Sequence, residues 1–516
     1  MRYPPTTSGE AGGGVWQPAS RAAARARTQI VGAGIVANVS WVWNRGRANC
    51  ALCGGNNEPM ASPHPVPKAP EAVDEAARRT PLLAETEVLV LGGGPAGIAA
   101  AASAAAAGRQ VLLVERYGFL GGMGTAAGVT NFCGLHANVH GEMRRVVHGV
   151  ADELLQRIDA LGGLSEPHSI FGRTLAQAYD NAAYKCAADE LLLARGARML
   201  FHALACGARL RDAGHIDALL VETRSGRRAI RAQTFIDASG DGDLFAWAGA
   251  PWEQGDAQGE MLYPTLMFRV GGVDDARAGE AWRQVGPRMA EAQRAGRHRF
   301  ARQGAILRPM KHAGEWRVNV TQIRNDQGRA MDGTDALQLS AGEVEGRRQV
   351  REFFAFLRAE MPGFDNAYLL DIAPQVGIRE TRRLLGRAVL TDEEVLGCAN
   401  FADSIGVNAW PLEQHVAGDV RWSWPAEGSR GFNQLPWRML LPQRVHNLLV
   451  AGRCASMSSA AQSAARVSGG CFVMGEAAGL GAALALRAGC APADIDVAAL
   501  QRALQGQGAY LGDDIE

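Results

Sequence analysis

The sequence has no excess of charge of either sign. Its 516 residues include 53 Lys and Arg and 53 Asp and Glu, so the formal net charge at pH 7 is zero. A protein without a global positive field has little to draw it to nucleic acid or to an anionic membrane surface. We therefore expect no nucleic-acid partner.

Two further absences exclude other classes of protein. The nine cysteines are scattered apart from Cys50 and Cys53, so their spacing supports neither a disulfide framework nor an iron–sulfur site, and one such pair is not a zinc site. No apolar run reaches the roughly 20 residues that a membrane-spanning helix needs. The sequence therefore predicts a soluble, cytoplasmic protein with no membrane span and no metal.

Length and composition predict more than one domain. A single core stops growing near about 250 to 300 residues, so we expect two domains here. Residues 1–84 mix Pro, Gly, Ala and Arg without sustained periodicity, as in a segment that cannot offset its ordering entropy. We interpret them as a disordered or spurious N-terminal extension.

A strand, a glycine turn and a helix follow that extension. A buried strand over residues 87–91 runs into a turn with three spaced glycines and then a long helix of small residues. Gly92 permits the tight turn, Gly94 lets the backbone approach a pyrophosphate, and Gly97 lets the helix pack closely on the strand. The N-terminus of the helix then faces the phosphates.

A second strand completes this dinucleotide-binding unit. Residues 110–114 form a buried strand that ends at Glu115, whose carboxylate can accept hydrogen bonds from ribose hydroxyls. The glycine-dense loop that follows, from Arg116 to Thr125, is more than a simple dehydrogenase needs at this point and could wrap a longer cofactor. We therefore predict FAD rather than NAD.

The rest of the chain returns to the same unit. The pattern predicts a helix over 174–195, a strand over 199–203, an antiparallel meander over 206–211, 216–223 and 227–233, and buried strands at 234–243 and 447–453, the last followed by a helix at 468–471. Between residues 255 and 445 the pattern changes to strand-like 265–271, amphipathic helices at 276–297 and 341–360, and aromatic-rich turns. We interpret most of this stretch as an inserted cap.

These segments resemble the FAD-dependent oxidoreductase family of the glutathione-reductase structural type, near the branch of the succinate dehydrogenase and fumarate reductase flavoproteins. The resemblance covers roughly residues 86–485 and rests on residues 115–123, 235–243, 265–272, 377–383 and 447–453. It implies an α/β fold. A Rossmann-like FAD-binding domain, a parallel sheet with a β-meander, would comprise residues 85–255 and 445–516, and an inserted α+β substrate or cap domain would comprise residues 256–444.

The resemblance also implies the groups that hold the cofactor. The three glycines of the turn would hold the pyrophosphate and Glu115 the adenosine ribose. Gly122, Met123 and Thr125 would lie along the diphosphate and ribityl side, and Asp241 near the pyrophosphate or a ribose.

At the flavin end, the resemblance implies contacts from the C-terminal segments. Gly452 and Arg453 would approach the ribityl chain, and the amides near Gly470 and Cys471 would face the flavin pyrimidine, where a helix N-terminus stabilises negative charge on the reduced ring. No histidine occupies the position of a covalent flavin link, so the FAD is expected to be non-covalent.

Four residues are candidates for catalysis. Arg379 and Arg382 belong to the Arg-rich segment 379–383, which would either bind an anionic substrate or form an internal ion-pair network. His136 and His415 can exchange protons at neutral pH if they line the cleft, and otherwise have a structural role.

The function that these patterns favour is oxidation of a small organic substrate by hydride transfer to flavin N5, with an unknown electron acceptor. A second dinucleotide fingerprint is absent apart from residues 32–37, which lack the acidic strand end, so the enzyme need not use nicotinamide. One alternative is the reverse chemistry, reduction of an activated alkene. Another is a flavin domain that acts on a macromolecular target or serves as a redox-sensing scaffold, and a homo-oligomer is possible in each case.

Overall fold

The computed structural model describes residues 73–512. Most of the predicted extension 1–84 lies outside the described residues, as do residues 32–37 and the pair Cys50 and Cys53. The last residues of the predicted extension, from Leu82 onward, belong to the first strand.

The described residues form 22 strands, 12 α-helices and two short 3-10 turns. The strands are β1 (Leu82–Leu91), β2 (Val111–Val114), β3 (Asn131–Cys133), β4 (His136–Val139), β5 (Glu142–Arg145), β6 (Leu164–Ile170), β7 (Thr174–Tyr179), β8 (Arg198–Leu200), β9 (Leu204–Asp212), β10 (His215–Thr223), β11 (Gly226–Asp237), β12 (Trp252–Glu253), β13 (Phe268–Gly271), β14 (Ile306–Pro309), β15 (Trp316–Asn319), β16 (Tyr368–Ile372), β17 (Arg383–Leu384), β18 (Ser404–Asn408), β19 (Leu412–Val416), β20 (Asp419–Ser423), β21 (Asn433–Pro436) and β22 (Leu448–Val450). The helices are α1 (Pro95–Ala106), α2 (Met123–Ala126), α3 (Val150–Ala160), α4 (Asn181–Ala194), α5 (Asp243–Trp247), α6 (Asp275–Ala278), α7 (Ala281–Arg294), α8 (Ala336–Glu360), α9 (Asp392–Leu396), α10 (Ser459–Ala465), α11 (Ser468–Ala488) and α12 (Val497–Gly506), and the 3-10 turns are Trp437–Leu440 and Pro492–Asp494.

The central sheet has seven strands in the order β8-β2-β1-β11-β10-β9, with β22 also paired to β11. Strands β8, β2, β1, β11 and β22 run parallel, so their carboxyl ends meet at one edge. The predicted separate strands at 227–233 and 234–243 are one strand, β11, whose first half pairs with β10 and whose last residues pair with β22. The prediction was wrong because no turn residue interrupts the ladder that β11 forms with β1.

Helices α1 and α11 pack against each other with almost no side chains between them. A Cβ on Gly475 would overlap the carbonyl oxygen of Ala96, and a Cβ on Gly479 would overlap that of Ala100. Contrary to the expectation that no apolar run is long enough, α11 is long and apolar enough to cross a membrane. Because 83% of that stretch is buried inside the protein, its apolar character is also that of a core helix.

A second, four-stranded sheet has the order β14-β15-β13-β16 and carries α7 and α8. Its core extends from Leu266 to Ile378, within the predicted cap. Residues from Leu390 to Leu441, which the predicted cap also includes, instead contribute to the core around α1 and α11.

The helix predicted over residues 174–195 was wrong in its first part. Residues 174–179 form β7, which pairs with β3 and β6, and the helix starts only at Asn181. Asp180 caps that helix by accepting a hydrogen bond from the amide of Ala183 at 2.9 Å. An Asp followed by a helical pattern is a start signal, and it locates the boundary here.

The contact between α1 and α11 yields a stability prediction. Replacement Gly479→Ala forces a methyl group against the backbone of α1, so we expect the free energy of unfolding to fall by about 1–3 kcal/mol. The matched control is Gly506→Ala at the exposed end of α12, where a Cβ meets nothing within 4 Å. Denaturant unfolding measures both variants, and a Gly479→Ala protein as stable as the parent would contradict this packing.

Candidate active site

The glycine turn after β1 packs tightly against the backbone at Gly92 and Gly97 and leaves free space toward a cavity at Gly94. A Cβ on Gly97 would overlap the carbonyl oxygen of Gly92, and a Cβ on Gly92, whose φ is +100°, would overlap that of Ala238. A Cβ on Gly94, in contrast, would meet only the Cα of Gly122 at 3.7 Å. No side chain in the part of the chain that the structure describes caps the first turn of α1, so the amides there are available to an anion such as a pyrophosphate.

Glu115 joins the turn to the loop after β2. Its carboxylate accepts hydrogen bonds from the amides of Gly93 at 2.7 Å and Tyr117 at 2.9 Å, and the side chain is buried at the cavity wall. An ionised carboxylate has about four acceptor positions, so two remain for ribose hydroxyls. The geometry is therefore compatible with the predicted role of Glu115.

Asp241 holds two arginines at the cavity wall. Its carboxylate lies 2.7 Å from Arg453 and 3.5 Å from Arg116, and it also accepts a hydrogen bond from the hydroxyl of Thr381 at 3.3 Å. Burial alone would raise the pKa of Asp241, but the charges of Arg453 and Arg116 lower it below its usual value. Arg116 and Arg453 line the cavity whereas Asp241 does not, so Asp241 holds two cations at the cavity wall from behind.

Some of the other predicted cofactor residues line the cavity, and the rest lie behind its wall. Gly122, Met123, Gly452 and Cys471 line the cavity together with Gly92, Gly94, Glu115, Arg116 and Arg453. Gly97, Thr125, Asp241 and Gly470 do not line it. The hydroxyl of Thr125 donates to the carbonyl of Leu120 at 2.7 Å and thereby fixes the loop, and Gly470 packs against the carbonyl of Ala465.

The amide of Cys471 is not free to face the flavin pyrimidine, contrary to the prediction. It donates to the carbonyl of Val467 at 3.0 Å, as a regular helical bond near the start of α11. The amides that precede it in the first turn of the helix are the ones left for a ligand.

The cavity has a volume of about 590 Å³, within the usual range of ligand pockets. It runs from the carboxyl edge of the central sheet to the second sheet and the β19–β20 hairpin. The cradle at Gly94, the free acceptor positions of Glu115 and the two guanidinium groups beside Asp241 fit the pyrophosphate and ribose of FAD.

Only two of the four candidate catalytic residues line the cavity. Arg379 and His415 line the cavity, whereas Arg382 and His136 do not. Arg382 pairs with Asp243 at 3.0 Å, so for this residue the structure favours the internal ion pair over binding of an anionic substrate. His136 lies in β4, and burial lowers its pKa to about 4.

Glu413 and His415 form a buried pair on β19. Oε1 of Glu413 lies 3.1 Å from Nε2 of His415, and Oε2 accepts a hydrogen bond from Trp410 at 2.9 Å. Burial would raise the pKa of Glu413, but His415, Arg466 and Trp410 hold it at about 2. Burial and the charge of Arg379 put the pKa of His415 well below its usual value.

The sequence analysis missed four arginines that line the cavity: Arg302, Arg308, Arg317 and Arg466. One signal was available for Arg317, which stands between apolar neighbours in the short buried strand β15. Arg466 lies just before the helix start at Ser468, on the residue before the N-cap. Arg302 lies in a turn, and its neighbours give no comparable signal.

Comparison with known proteins identifies a family. A family model described as FAD dependent oxidoreductase matches residues 87–504. The comparison with curated proteins yields no match.

Solved structures with low identity resemble this chain. A geranylgeranyl bacteriochlorophyll reductase-like protein from Thermoplasma acidophilum is 14% identical, with 83% of this chain and 84% of that chain covered and a TM-score of 0.43. For p-nitrophenol 4-monooxygenase PnpA from Pseudomonas putida DLL-E4 the values are 12%, 82%, 81% and 0.39. For the flavin-dependent brominase Bmp2 they are 13%, 82%, 83% and 0.42. Values this low carry no argument about the reaction.

The contacts of Glu115 yield a prediction for cofactor affinity. In Glu115→Gln an amide nitrogen replaces one acceptor oxygen and faces a backbone N–H, so we expect FAD affinity to fall about 10- to 100-fold. Titration of the cofactor-free protein with FAD, followed by fluorescence, measures it. The control is Glu85→Gln, on the exposed part of β1, and equal FAD affinity of the two variants would contradict the role of Glu115.

Proposed function

Because the chain belongs to the FAD-dependent oxidoreductase family, we propose that it oxidises a small organic substrate by hydride transfer to N5 of the flavin. The observation that carries this proposal is the position of His415, which lines the same cavity as the glycine turn and is held by Glu413. FAD supplies the hydride acceptor when it is bound. Loss of a hydride from a carbon that bears a hydroxyl or an amine also releases a proton, and His415 is placed to take it.

The pair Glu413 and His415 defines which nitrogen acts. Glu413 is ionised at neutral pH, so Nε2 of His415 donates to it and Nδ1 keeps its lone pair. A carboxylate that holds a histidine in one tautomer is a recurrent way of orienting a general base. His415 therefore receives the proton at Nδ1.

Two observations favour oxidation over the alternatives. The pKa of His415 lies well below its usual value because of burial and the charge of Arg379, so the ring is neutral and has no proton to give to an alkene carbon at neutral pH. The second observation concerns a redox-sensing scaffold, which would need a reactive thiolate. Burial raises the pKa of the cavity thiols Cys133 and Cys471 to about 12, so neither is a thiolate available for disulfide exchange at neutral pH.

Oxygen, a quinone or a partner protein would be the final electron acceptor. The acceptor, the cytoplasmic location and the closer resemblance to succinate dehydrogenase and fumarate reductase flavoproteins stay predictions. A buried cavity with ionisable groups favours a small molecule over a macromolecular target.

Anaerobic reduction tests the proposal. The oxidised holoenzyme is mixed with hydroxy acids, alcohols and amines, and separately the reduced holoenzyme is mixed with enoates. We expect one compound of the first group to bleach the flavin. Reoxidation by an enoate together with no bleaching by the first group would contradict the proposed direction.

His415 provides the matched variants for that test. We expect His415→Asn to slow bleaching about 100- to 10,000-fold with unchanged FAD content, since general base catalysis contributes about that much. The control is His140→Asn at an exposed position outside the cavity lining. Equal bleaching rates of the two variants would remove His415 from the mechanism.

The pH profile provides a further prediction. The base acts in its neutral form and its pKa is lowered, so kcat/KM should be constant through neutral pH and fall only well below pH 6.5, the unperturbed pKa. Arg379→Gln removes a cation that disfavours the protonated ring, so the acid limb should move to higher pH. An acid limb in the parent at or above pH 6.5, or one that Arg379→Gln leaves in place, would contradict the assignment.

A further inference from the structure

Four arginines from separate elements surround one carboxylate in the cavity. Arg302 precedes β14, Arg317 lies in β15, Arg379 follows β16, and Arg466 follows α10. Each of the four feels the charge of Glu413, which accepts a hydrogen bond from the neutral ring of His415. The protein therefore brings four cations to this part of the cavity, against the strong anion Glu413 and, for Arg302, the carboxylate of Asp419.

Burial of this excess of positive charge is energetically unfavourable. The exposed fractions of Arg302, Arg317 and Arg379 are 4%, 6% and 8%. Guanidinium groups stay protonated even when burial lowers the pKa of Arg302 and Arg317 to about 10. Buried charges in proteins are normally paired, so these cations require a partner that the described residues do not supply.

Several of the donors are also unused. Among the described residues no acceptor lies within hydrogen-bond distance of Nε of Arg302, Nε of Arg317, or Nε and Nη2 of Arg466, although all four atoms are buried. Neutral acceptors hold other parts of the guanidinium groups. Nη1 of Arg302 donates to the amide oxygen of Asn319 at 3.1 Å and Nη1 of Arg317 to the carbonyl of Val129 at 3.1 Å.

The phosphates of FAD are not the expected partner of all these groups. The cofactor end of the cavity is at the glycine turn, where Arg116 and Arg453 are already held by Asp241. Arg317 instead lies in the second sheet, in β15, and Arg302 lies in the segment that leads into β14 of that sheet. His415 lines the same cavity as Arg302, Arg317 and Arg379, and the charges of Arg379 and Arg302 help to lower its pKa, so the proposed site of proton transfer lies beside these arginines.

We infer that the substrate is an organic acid whose carboxylate is bound by Arg302, Arg317 and Arg379 beside His415. Guanidinium groups bind carboxylates through paired N–H donors, and Arg302, Arg317 and Arg379 all line the cavity. This inference rests on the proposed function because it names the substrate class of the same site.

Equilibrium binding to the oxidised holoenzyme tests it without turnover. The probes are succinate and benzoate, each compared with its uncharged amide, succinamide or benzamide, by calorimetry and by the difference spectrum of the flavin. We expect at least one acid to bind about 10-fold or more tightly than its amide. Equal or weaker binding of both acids relative to their amides would overturn the inference.

Variants locate the anion. Arg317→Gln and Arg302→Gln should each weaken binding of the preferred acid about 10- to 100-fold and leave binding of its amide unchanged. The control is Arg421→Gln, an exposed residue of the same hairpin as Glu413 that does not line the cavity. Arg317→Lys retains the charge and lacks the fork, so its loss should be smaller than that of Arg317→Gln. Unchanged acid affinity in both Gln variants would overturn the inference, and Arg302→Gln decides alone if Arg317→Gln does not fold.

The two proposals fail in different ways. Acid binding that depends on the arginines, without bleaching by any acid, alcohol or amine, would support the anion site and contradict the hydride transfer. Bleaching by a neutral amine or alcohol, with no preference for acids in binding, would support the hydride transfer and overturn the anion site.

Discussion

The approach of Gly97 to the carbonyl oxygen of Gly92 leaves no space for a Cβ, and the rest of the site depends on that contact. It seats the N-terminus of α1 directly behind the turn, with the last residues of β11 on the other side of Gly92. Helix α11 then packs on α1 through further glycines, which brings the segment around Arg466 and Cys471 to the same cavity. Larger residues at these positions would separate the elements that carry the cofactor contacts from those that carry the chemistry.

The arginines of the site fall into two electrostatic groups. Arg116, Arg453, Arg382 and Arg383 each have a carboxylate partner: Asp241 for the first two, Asp243 for Arg382, and Glu380 and Glu253 for Arg383. These pairs fix loops at the sheet edge. Within residues 73–512 the arginines around Glu413 form no salt bridge with a carboxylate, and they lie where the proposed substrate would meet the base. The segment 379–383 contributes to both groups, so the two interpretations of its arginines apply to different residues.

The sequence predicted the parts of the site that are local. Strand, turn, helix and Glu115 lie within about 30 residues, a unit whose pattern is specific, and the structure has each of them in the expected order. The boundary between β7 and α4 was missed because a short strand of mixed residues resembles the first turns of a helix until its partners β3 and β6 are known. The arginine group could not be found in the same way, since Arg302 and Arg317 are far from Arg466 in the chain and only the tertiary fold brings them to one cavity.

The measurement that tests the central claim most directly is the absorbance spectrum of the purified full-length protein, taken before and after acid precipitation, with the released compound identified by chromatography and mass. The account predicts a yellow protein with the absorbance bands of oxidised flavin, from which FAD passes entirely into the supernatant. A colourless protein that also takes up no added FAD would contradict the account.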